Sequence, residues 1–403
     1  TGHWRQYVDP ETGHIYKGQE EQAHLFDITM HAKPALVNSS KGDKVRSVFG
    51  CPKTMIFAEA MFFYPLFNTY FSVIDSPLLW NYETLNGGWC RLNAEYHAKW
   101  SHAMTILSFD WSEFDMRTFF DVWRDIRARW KTYFNFDDGF IPTVQYPHSS
   151  TPRSKLENVW DWIERAMEDS PCRLPNGKRY RRKFAGQPSG LYTTQFGDSF
   201  YNGLMIVAVL SKMGFVVTPD DMLKLMGDDS LTGLLAYIPA NQHEPFLLAF
   251  SQTAESMFAG KCSDDKSSIT NAIHRSSVLS YENNNGYPYR DPVQLLAQLY
   301  HPKNYNDTPS KLMSRAVGIC YADANNHRFV RWTCENIYQY LHFQGYRPDI
   351  DYLDWSKPIY GFDIPTTHFP TKAEVTARLT SPSHRDPHVQ KKYWPTNHFL
   401  STF

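Results

Sequence analysis

The chain has 403 residues and a mass of 46.9 kDa, too long for one ordinary domain and enough for two or three lobes. Hydrophobic residues make up 42% and charged residues 21%, which excludes a disordered or solvating protein. Lys plus Arg total 41 against 42 Asp plus Glu, a net charge of −1 that argues against a globally basic nucleic-acid coat and leaves room for a local basic channel.

Residues 1–50 are polar and mixed, and end in the basic run Lys41-Gly42-Asp43-Lys44-Val45-Arg46. A helix is predicted over 53–75, with Ile56, Ala60, Phe63 and Phe67 on one apolar face. Thr105 to Phe109 reads as a short apolar strand ending at Asp110, and Met116 to Tyr133 follows with helical periodicity. Asn176-Gly177 signals a two-residue hairpin turn. A long helix is predicted over 193–213, with Phe196, Phe200, Leu204 and Val207 spaced for burial. Met222 to Met226 and Ser230 to Leu235 read as strands joined across Gly227-Asp228-Asp229, a hairpin with a carboxylate tip. Helices are predicted near 291–301 and 310–320, within a separate C-terminal lobe from Tyr289 to Phe403 that turns Pro-rich after Pro358. Strands and helices alternate with non-local pairing, so the fold class is α+β.

No apolar run reaches the roughly 18 residues of a membrane helix, so no membrane partner is expected. Cys51, Cys90, Cys172, Cys262, Cys320 and Cys334 form no CxxC pair, and reduced thiols are the expectation. The chain starts at Thr1 and reads as a fragment or processed product.

Three constellations carry chemistry. Phe109-Asp110-Trp111-Ser112-Glu113-Phe114-Asp115 sets one carboxylate at a strand end and another where a helix begins. A strand-end carboxylate suits a hard divalent ion; the ordinary alternative is a helix N-cap. Gly186-Gln187-Pro188-Ser189-Gly190-Leu191-Tyr192-Thr193-Thr194 offers backbone N–H groups and hydroxyls to a phosphate or sugar; the alternative is a plain loop with a Ser cap. Gly227-Asp228-Asp229-Ser230 holds two adjacent acids whose repulsion a cation would relieve; the alternative is a solvated turn. The basic run Lys178-Arg179-Tyr180-Arg181-Arg182-Lys183 divides evenly between lining a template channel and forming a solvated hairpin face.

Together and in this order, the three constellations resemble motifs A, B and C in the palm of viral RNA-dependent RNA polymerases. Motif A is Asp110 with Asp115, motif B is Ser189-Gly190-x3-Thr194 with Asp198, Ser199 and Asn202 downstream, and motif C is Gly227-Asp228-Asp229. Lys41, Lys44 and Arg46 resemble motif F, which grips the incoming triphosphate. Phe258 to Ser267 is similar to motif D, with Lys266 best matching the general acid and Lys261 the runner-up. Ser277 to Tyr281 followed by Asn285-Gly286 falls where motif E belongs. Pro188-Ser189-Gly190-Leu191-Tyr192-Thr193-Thr194-Gln195 with Asp198-Ser199, and Phe49-Gly50-Cys51-Pro52 with Glu59 to Pro65, resemble partitiviruses and picobirnavirus-like relatives, which have double-stranded RNA genomes. Asp198 stands where many positive-strand viruses have Asn.

The resemblance implies a right-hand polymerase: fingers over 1–104 with an incomplete N-terminus, palm over 105–135, a fingers insertion over 136–185, palm again over 186–275, then motif E and a helical thumb over 276–403. It implies Asp110, Asp228 and Asp229 as ligands of two Mg²⁺ ions, with Mn²⁺ able to substitute, and Asp115, Ser189, Gly190, Thr194, Asp198 and Asn202 around the ribose. The implied partners are an RNA template and product, ribonucleoside triphosphates and a viral capsid protein, and the implied location is the virion interior and host cytoplasm. A reverse transcriptase usually has an aromatic residue where Gly227 stands. A capsid or packaging protein, and a Mg²⁺-dependent phosphatase or nuclease, are the rivals from other classes.

Overall fold

The structure, a computed structural model, describes residues 27–34, 45–73, 76–139, 151–263, 266–302, 307–349 and 368–380, and the backbone of 7–8 and 15–16. In chain order the strands are β1 (Tyr7–Val8), β2 (Ile15–Tyr16), β3 (Ile28–Pro34), β4 (Val45–Gly50), β5 (Thr105–Ser108), β6 (Cys172–Arg173), β7 (Arg179–Tyr180), β8 (Leu223–Met226), β9 (Asp229–Leu234), β10 (Ser268–Thr270), β11 (Ser277–Val278), β12 (Tyr281–Asn284) and β13 (Tyr287–Tyr289). The α-helices are α1 (Lys53–Ser72), α2 (Gly88–Lys99), α3 (Phe114–Arg117), α4 (Phe120–Lys131), α5 (Arg153–Asp169), α6 (Thr194–Lys212), α7 (His243–Phe258), α8 (Pro292–Tyr300), α9 (Pro309–Asp323), α10 (Arg328–Phe343) and α11 (Lys372–Thr380).

The central sheet is antiparallel with strand order β10-β5-β9-β8. Both of its faces are covered, so all four residues of β5 are buried, with apolar Ile106 and Leu107 at its centre. Successive side chains leave opposite faces, so Leu107 enters the large core while Ile106 enters a second cluster with Tyr96, Leu231 and Val278. Helix α6 crosses β8 and β9 and packs against α7 and α4. Helix α1 meets α6 through aromatic rings, with Phe67 5.0 Å from Phe196 and 5.3 Å from Tyr192 just before that helix, while Trp130 of α4 lies 5.1 Å from Phe196. Each such pair adds roughly 0.5–1.5 kcal/mol beyond area burial. A second sheet, β4-β3-β6-β7, and a meander, β11-β12-β13, flank the first. Leu295, Met313, Val317, Cys334 and Val375 centre a separate core among α8 to α11.

Three expectations are refined. The helix predicted over 116–133 is two helices, broken because the Phe119 N–H donates to the Tyr201 hydroxyl at 3.0 Å and Phe119 bridges to Ala185. The helix predicted to 75 ends at Ser72, with Val73 extended. Asp229 belongs to β9 and pairs with Met226, so only Gly227 and Asp228 form the hairpin turn, with Gly227 at φ +64°. That glycine conformation suits a two-residue hairpin. All six cysteines are free thiols, and among the described residues no helix is long and apolar enough to cross a membrane.

Candidate active site

Asp110 follows β5, and the hairpin carrying Asp228 and Asp229 closes the adjacent strand pair, so the sheet register sets the acids side by side. Their electrostatics record the proximity. Loss of water pushes the Asp228 carboxyl up although its side chain reaches solvent at the tip; Asp110 and Asp115 push further, while its own N–H and Lys266 pull down. The Asp229 carboxyl rises to about 6, first through burial and then through Asp228 and Asp110; the Leu279 N–H and Lys266 oppose this. Lys266 donates to both Asp110 carboxylate oxygens at 3.1 Å. The segment bearing it is tied to motif A, since the Ser263 N–H donates to the Asp110 carbonyl at 2.8 Å and the Asp110 N–H donates to Ser267 Oγ at 3.1 Å. Lys261 contributes its carbonyl to the Ser112 N–H.

The second part of the site is the loop before α6. The Ser189 hydroxyl donates to the Asp115 carboxylate, and the Gln187 N–H donates to the Asp115 carbonyl at 2.7 Å. Gly190 lies against the Phe49 carbonyl at the end of β4, where a Cβ would collide with backbone. Asp198 lies one turn into α6, 8% exposed, and Oδ1 has no hydrogen-bond partner among the described residues. Burial, then Asp228 and Asp115, hold its carboxyl well above the usual carboxylate range.

The other expected residues stand differently. Asn202 is fully buried; its Oδ1 accepts from Trp111 Nε1 at 2.9 Å and its Nδ2 donates to the Gly227 and Asp229 carbonyls at 3.1 and 3.4 Å. It ties motif A to the hairpin. The Thr194 hydroxyl donates to the Leu191 carbonyl at 2.9 Å and closes the loop on itself. Arg46 is exposed on β4, opposite Lys33. Lys41 and Lys44 lie outside the described residues. In the basic run, Arg179 pairs with Asp27 at 2.7 Å, and half-buried Arg182 donates to the Gly186 carbonyl at 2.7 Å and to the Met167 carbonyl. Arg182 therefore braces the start of the loop before α6.

Three further residues, given no individual role by the sequence, shape the site. Ser199 Oγ accepts the Gly227 N–H at 2.8 Å and fixes the hairpin turn to α6. Lys224, buried on β8, donates to the Ser76 carbonyl at 3.0 Å and the Tyr82 hydroxyl at 2.7 Å. Glu59 on α1 accepts from the Tyr192 and Thr193 N–H groups. The available signal was a carboxylate inside the predicted apolar face, three residues after Ile56 and four before Phe63.

The donors are carboxylate oxygens gathered with too little positive charge, which fits Mg²⁺ or Mn²⁺ in kind. They do not stand as a ready-made cage, because Lys266 holds the Asp110 oxygens and no three acids among the described residues converge on one point. That also fits Mg²⁺, which binds through few carboxylates plus substrate phosphates.

A family model described as viral RNA-dependent RNA polymerase matches residues 38–238. The chain is 35% identical over 394 residues to the RNA-directed RNA polymerase of White clover cryptic virus 1 (isolate Boccardo/2004), covering 94% of this chain and 62% of that protein. It is 28% identical over 408 residues to the RNA-directed RNA polymerase of Atkinsonella hypoxylon virus (isolate 2H), covering 88% and 59%. The chain thus spans 59–62% of the length of these curated relatives. Among solved structures it is similar to the RNA-dependent RNA polymerase of a human picobirnavirus, with TM-score 0.56, 14% identity, and 94% and 66% of the two chains covered. It is also similar to the Sicinivirus RNA-dependent RNA polymerase, with TM-score 0.59, 15% identity, and 93% and 74% covered. At such identities the likeness is one of fold.

Proposed function

The chain is a member of the viral RNA-dependent RNA polymerase family through residues 38–238, and from that premise we propose that it adds ribonucleotides to a growing RNA on an RNA template, replicating and transcribing a double-stranded RNA genome. The observation that carries the reading is the joint placement of Asp110, Asp228, Asp229 and Lys266 beside the Asp115–Ser189 pair and Asp198. On this reading residues 105–135 and 186–275 are the palm, 1–104 and 136–185 the fingers, and 276–403 the primer grip and thumb. The enzyme works inside the virion against a capsid protein and in the host cytoplasm.

The reaction is an in-line displacement at the α-phosphorus by the primer 3′-oxygen, so the protein's task is positioning and charge stabilisation. Asp110 and Asp228, with Asp229 as a weaker third ligand, would hold two Mg²⁺ ions, which supply charge at the attacking and leaving oxygens when bound. Asp115, Ser189 and Asp198 read the ribose 2′-hydroxyl, and such a site rejects a deoxy substrate by up to about 10⁴. Lys266 gives its proton to the departing pyrophosphate. Arg46, with Lys41 and Lys44, grips the triphosphate.

The test is ribonucleotide incorporation on a short primed RNA template with Mg²⁺, for the wild type and Asp228→Ala. Expected is extension by the wild type and none by a variant that melts no lower. Extension by both removes Asp228 from the chemistry, and degradation of the labelled primer favours a nuclease.

A further inference from the structure

We propose that Glu59 is a positioning residue for ribose selection: from α1 it clamps the backbone of Tyr192 and Thr193 and so sets where Ser189, Gly190 and Asp198 stand. The proposal rests on the polymerase reading above.

Glu59 is 2% exposed. Its Oε2 accepts the Tyr192 N–H at 2.7 Å and the Thr193 N–H at 3.3 Å, and its Oε1 accepts the Thr193 hydroxyl at 2.9 Å. These partners lie 133 and 134 residues away in sequence, so the contact is tertiary and specific. Thr193 is the N-cap of α6, yet its own side chain caps nothing and the first turn carries no acid. The N-terminal N–H groups of a helix need an acceptor. Glu59, from another helix, takes the N–H of the N-cap Thr193 and that of Tyr192 just before it.

Solvent has little room to take over the work. The space beside Glu59, lined by Arg127, Trp123, Trp160 and Thr193, has a volume of 10 Å³, room for about one water. Arg127 is committed elsewhere, donating to the Glu164 carbonyl at 3.4 Å and Met167 Sδ at 3.1 Å. Without the Glu59 carboxylate the two buried N–H groups lose their acceptor, and at most a water or two can replace it, which favours a loop position nearer solvent.

Such a movement would be felt at the site. The clamped residues lie three and four positions after Ser189, whose hydroxyl meets Asp115, and Asp198 follows within the first turns of α6. The Leu191 N–H donates to the Pro188 carbonyl at 3.2 Å, and the Tyr192 ring stacks on Phe67 at 5.3 Å, so the loop shifts as a unit.

The experiment compares the wild type with Glu59→Ala, Glu59→Gln and Thr193→Val. Steady-state incorporation on primed RNA is measured with each ribonucleoside triphosphate and its deoxy analogue, and hydrogen exchange is followed over residues 188–194. Expected for Glu59→Ala is a KM for ribonucleotides raised about tenfold, in line with loss of buried hydrogen bonds. The ribo-over-deoxy ratio narrows, kcat changes little, and exchange quickens in that segment but not in 223–234. Glu59→Gln keeps the shape and an acceptor for both N–H groups, and restores most of each value. Thr193→Val removes one bond of the three and gives a smaller change in the same direction, so the inference stays testable if Glu59→Ala fails to fold. Unchanged exchange in Glu59→Ala and Thr193→Val overturns the clamp whether or not the chain polymerises. Faster exchange with unchanged KM and sugar ratio overturns the link to ribose selection. Incorporation by no variant, the wild type included, defeats the polymerase reading and the ribose role with it, while exchange still decides the clamp.

Discussion

Lys266 reaches across 156 residues of sequence to hold its ammonium 3.1 Å from both carboxylate oxygens of Asp110. The pair is partly open to solvent, so it does little for the stability of the fold. Its value lies in offsetting the mutual repulsion of Asp110, Asp228 and Asp229, whose carboxyls it faces.

Removing this ammonium has two separable effects. Lys266→Met lowers kcat by about 10²–10⁴, the usual weight of a general acid. It also lowers the Mg²⁺ concentration needed for half-maximal rate, because a cation competing for the Asp110 oxygens is gone. A metal titration of the variant's residual activity, beside a melting curve that does not move, checks both. A half-saturating Mg²⁺ concentration that rises instead would mean Lys266 assists metal binding.

On the proposed function, Asp198 bears on sugar choice. Its carboxyl is pushed well above the usual range by burial and by Asp228 and Asp115, and one oxygen has no protein partner among the described residues. Asp198→Ala narrows the ribo-over-deoxy ratio of kcat/KM by at least about tenfold out of a possible 10⁴. Competition between a ribonucleotide and its deoxy analogue on one template gives the ratio directly, and an unchanged ratio removes Asp198 from the sugar network.

The two site glycines fail differently when replaced. Gly190→Ala drives a methyl into the Phe49 carbonyl, so the loop must leave its seat; nucleotide KM rises and folding suffers. Gly227→Ala meets nothing within 4 Å, but it forces alanine to φ +64°. That costs about 1–2 kcal/mol of stability and leaves the hairpin in place. Chemical denaturation together with nucleotide KM distinguishes the two outcomes.

Glu59 makes stability depend on pH. Burial pushes its carboxyl up to about 7 from an ordinary 4.5. A raised carboxyl holds its proton more tightly folded than unfolded. Its contribution is therefore full below about pH 4.5 and is lost as pH climbs through about 7. Glu59→Gln carries no such proton. Relative to that variant the wild type loses about 3 kcal/mol between pH 4.5 and 8, measured by urea unfolding at fixed pH values. A gap that stays constant across this range would mean Glu59 keeps its charge throughout.

The positions of the site's parts were legible because they are local signals. A strand end, a Gly/Ser loop and a two-residue turn can each be read within ten residues. Asp110, Ser189 and Asp228 stand where those signals put them. What sequence could not supply was the partner of each buried polar group. Asn202 reads as one more residue of motif B, and only the fold reveals Trp111 and the hairpin carbonyls at its two ends. Arg182 reads evenly as channel charge or as part of a solvated hairpin face, and the fold uses it on two carbonyls. The break before Phe120 depends on a tyrosine hydroxyl from a helix not yet reached in the chain. Periodicity is blind to such contacts because they are set by packing between elements.

The order of pairing in the central sheet also governs how the molecule is made. Leu107 on β5 pairs with Thr232 on one side and Ile269 on the other. At about 5–20 residues per second a ribosome delivers Thr232 about 6–25 s after Leu107, and Ile269 later still. Through that interval β5 is an apolar strand with two open edges, the form most apt to pair with another chain. Synthesis halted between Leu234 and Ser268 leaves a product that carries all three carboxylates but lacks β10, so one edge of β5 stays open to pairing with another chain.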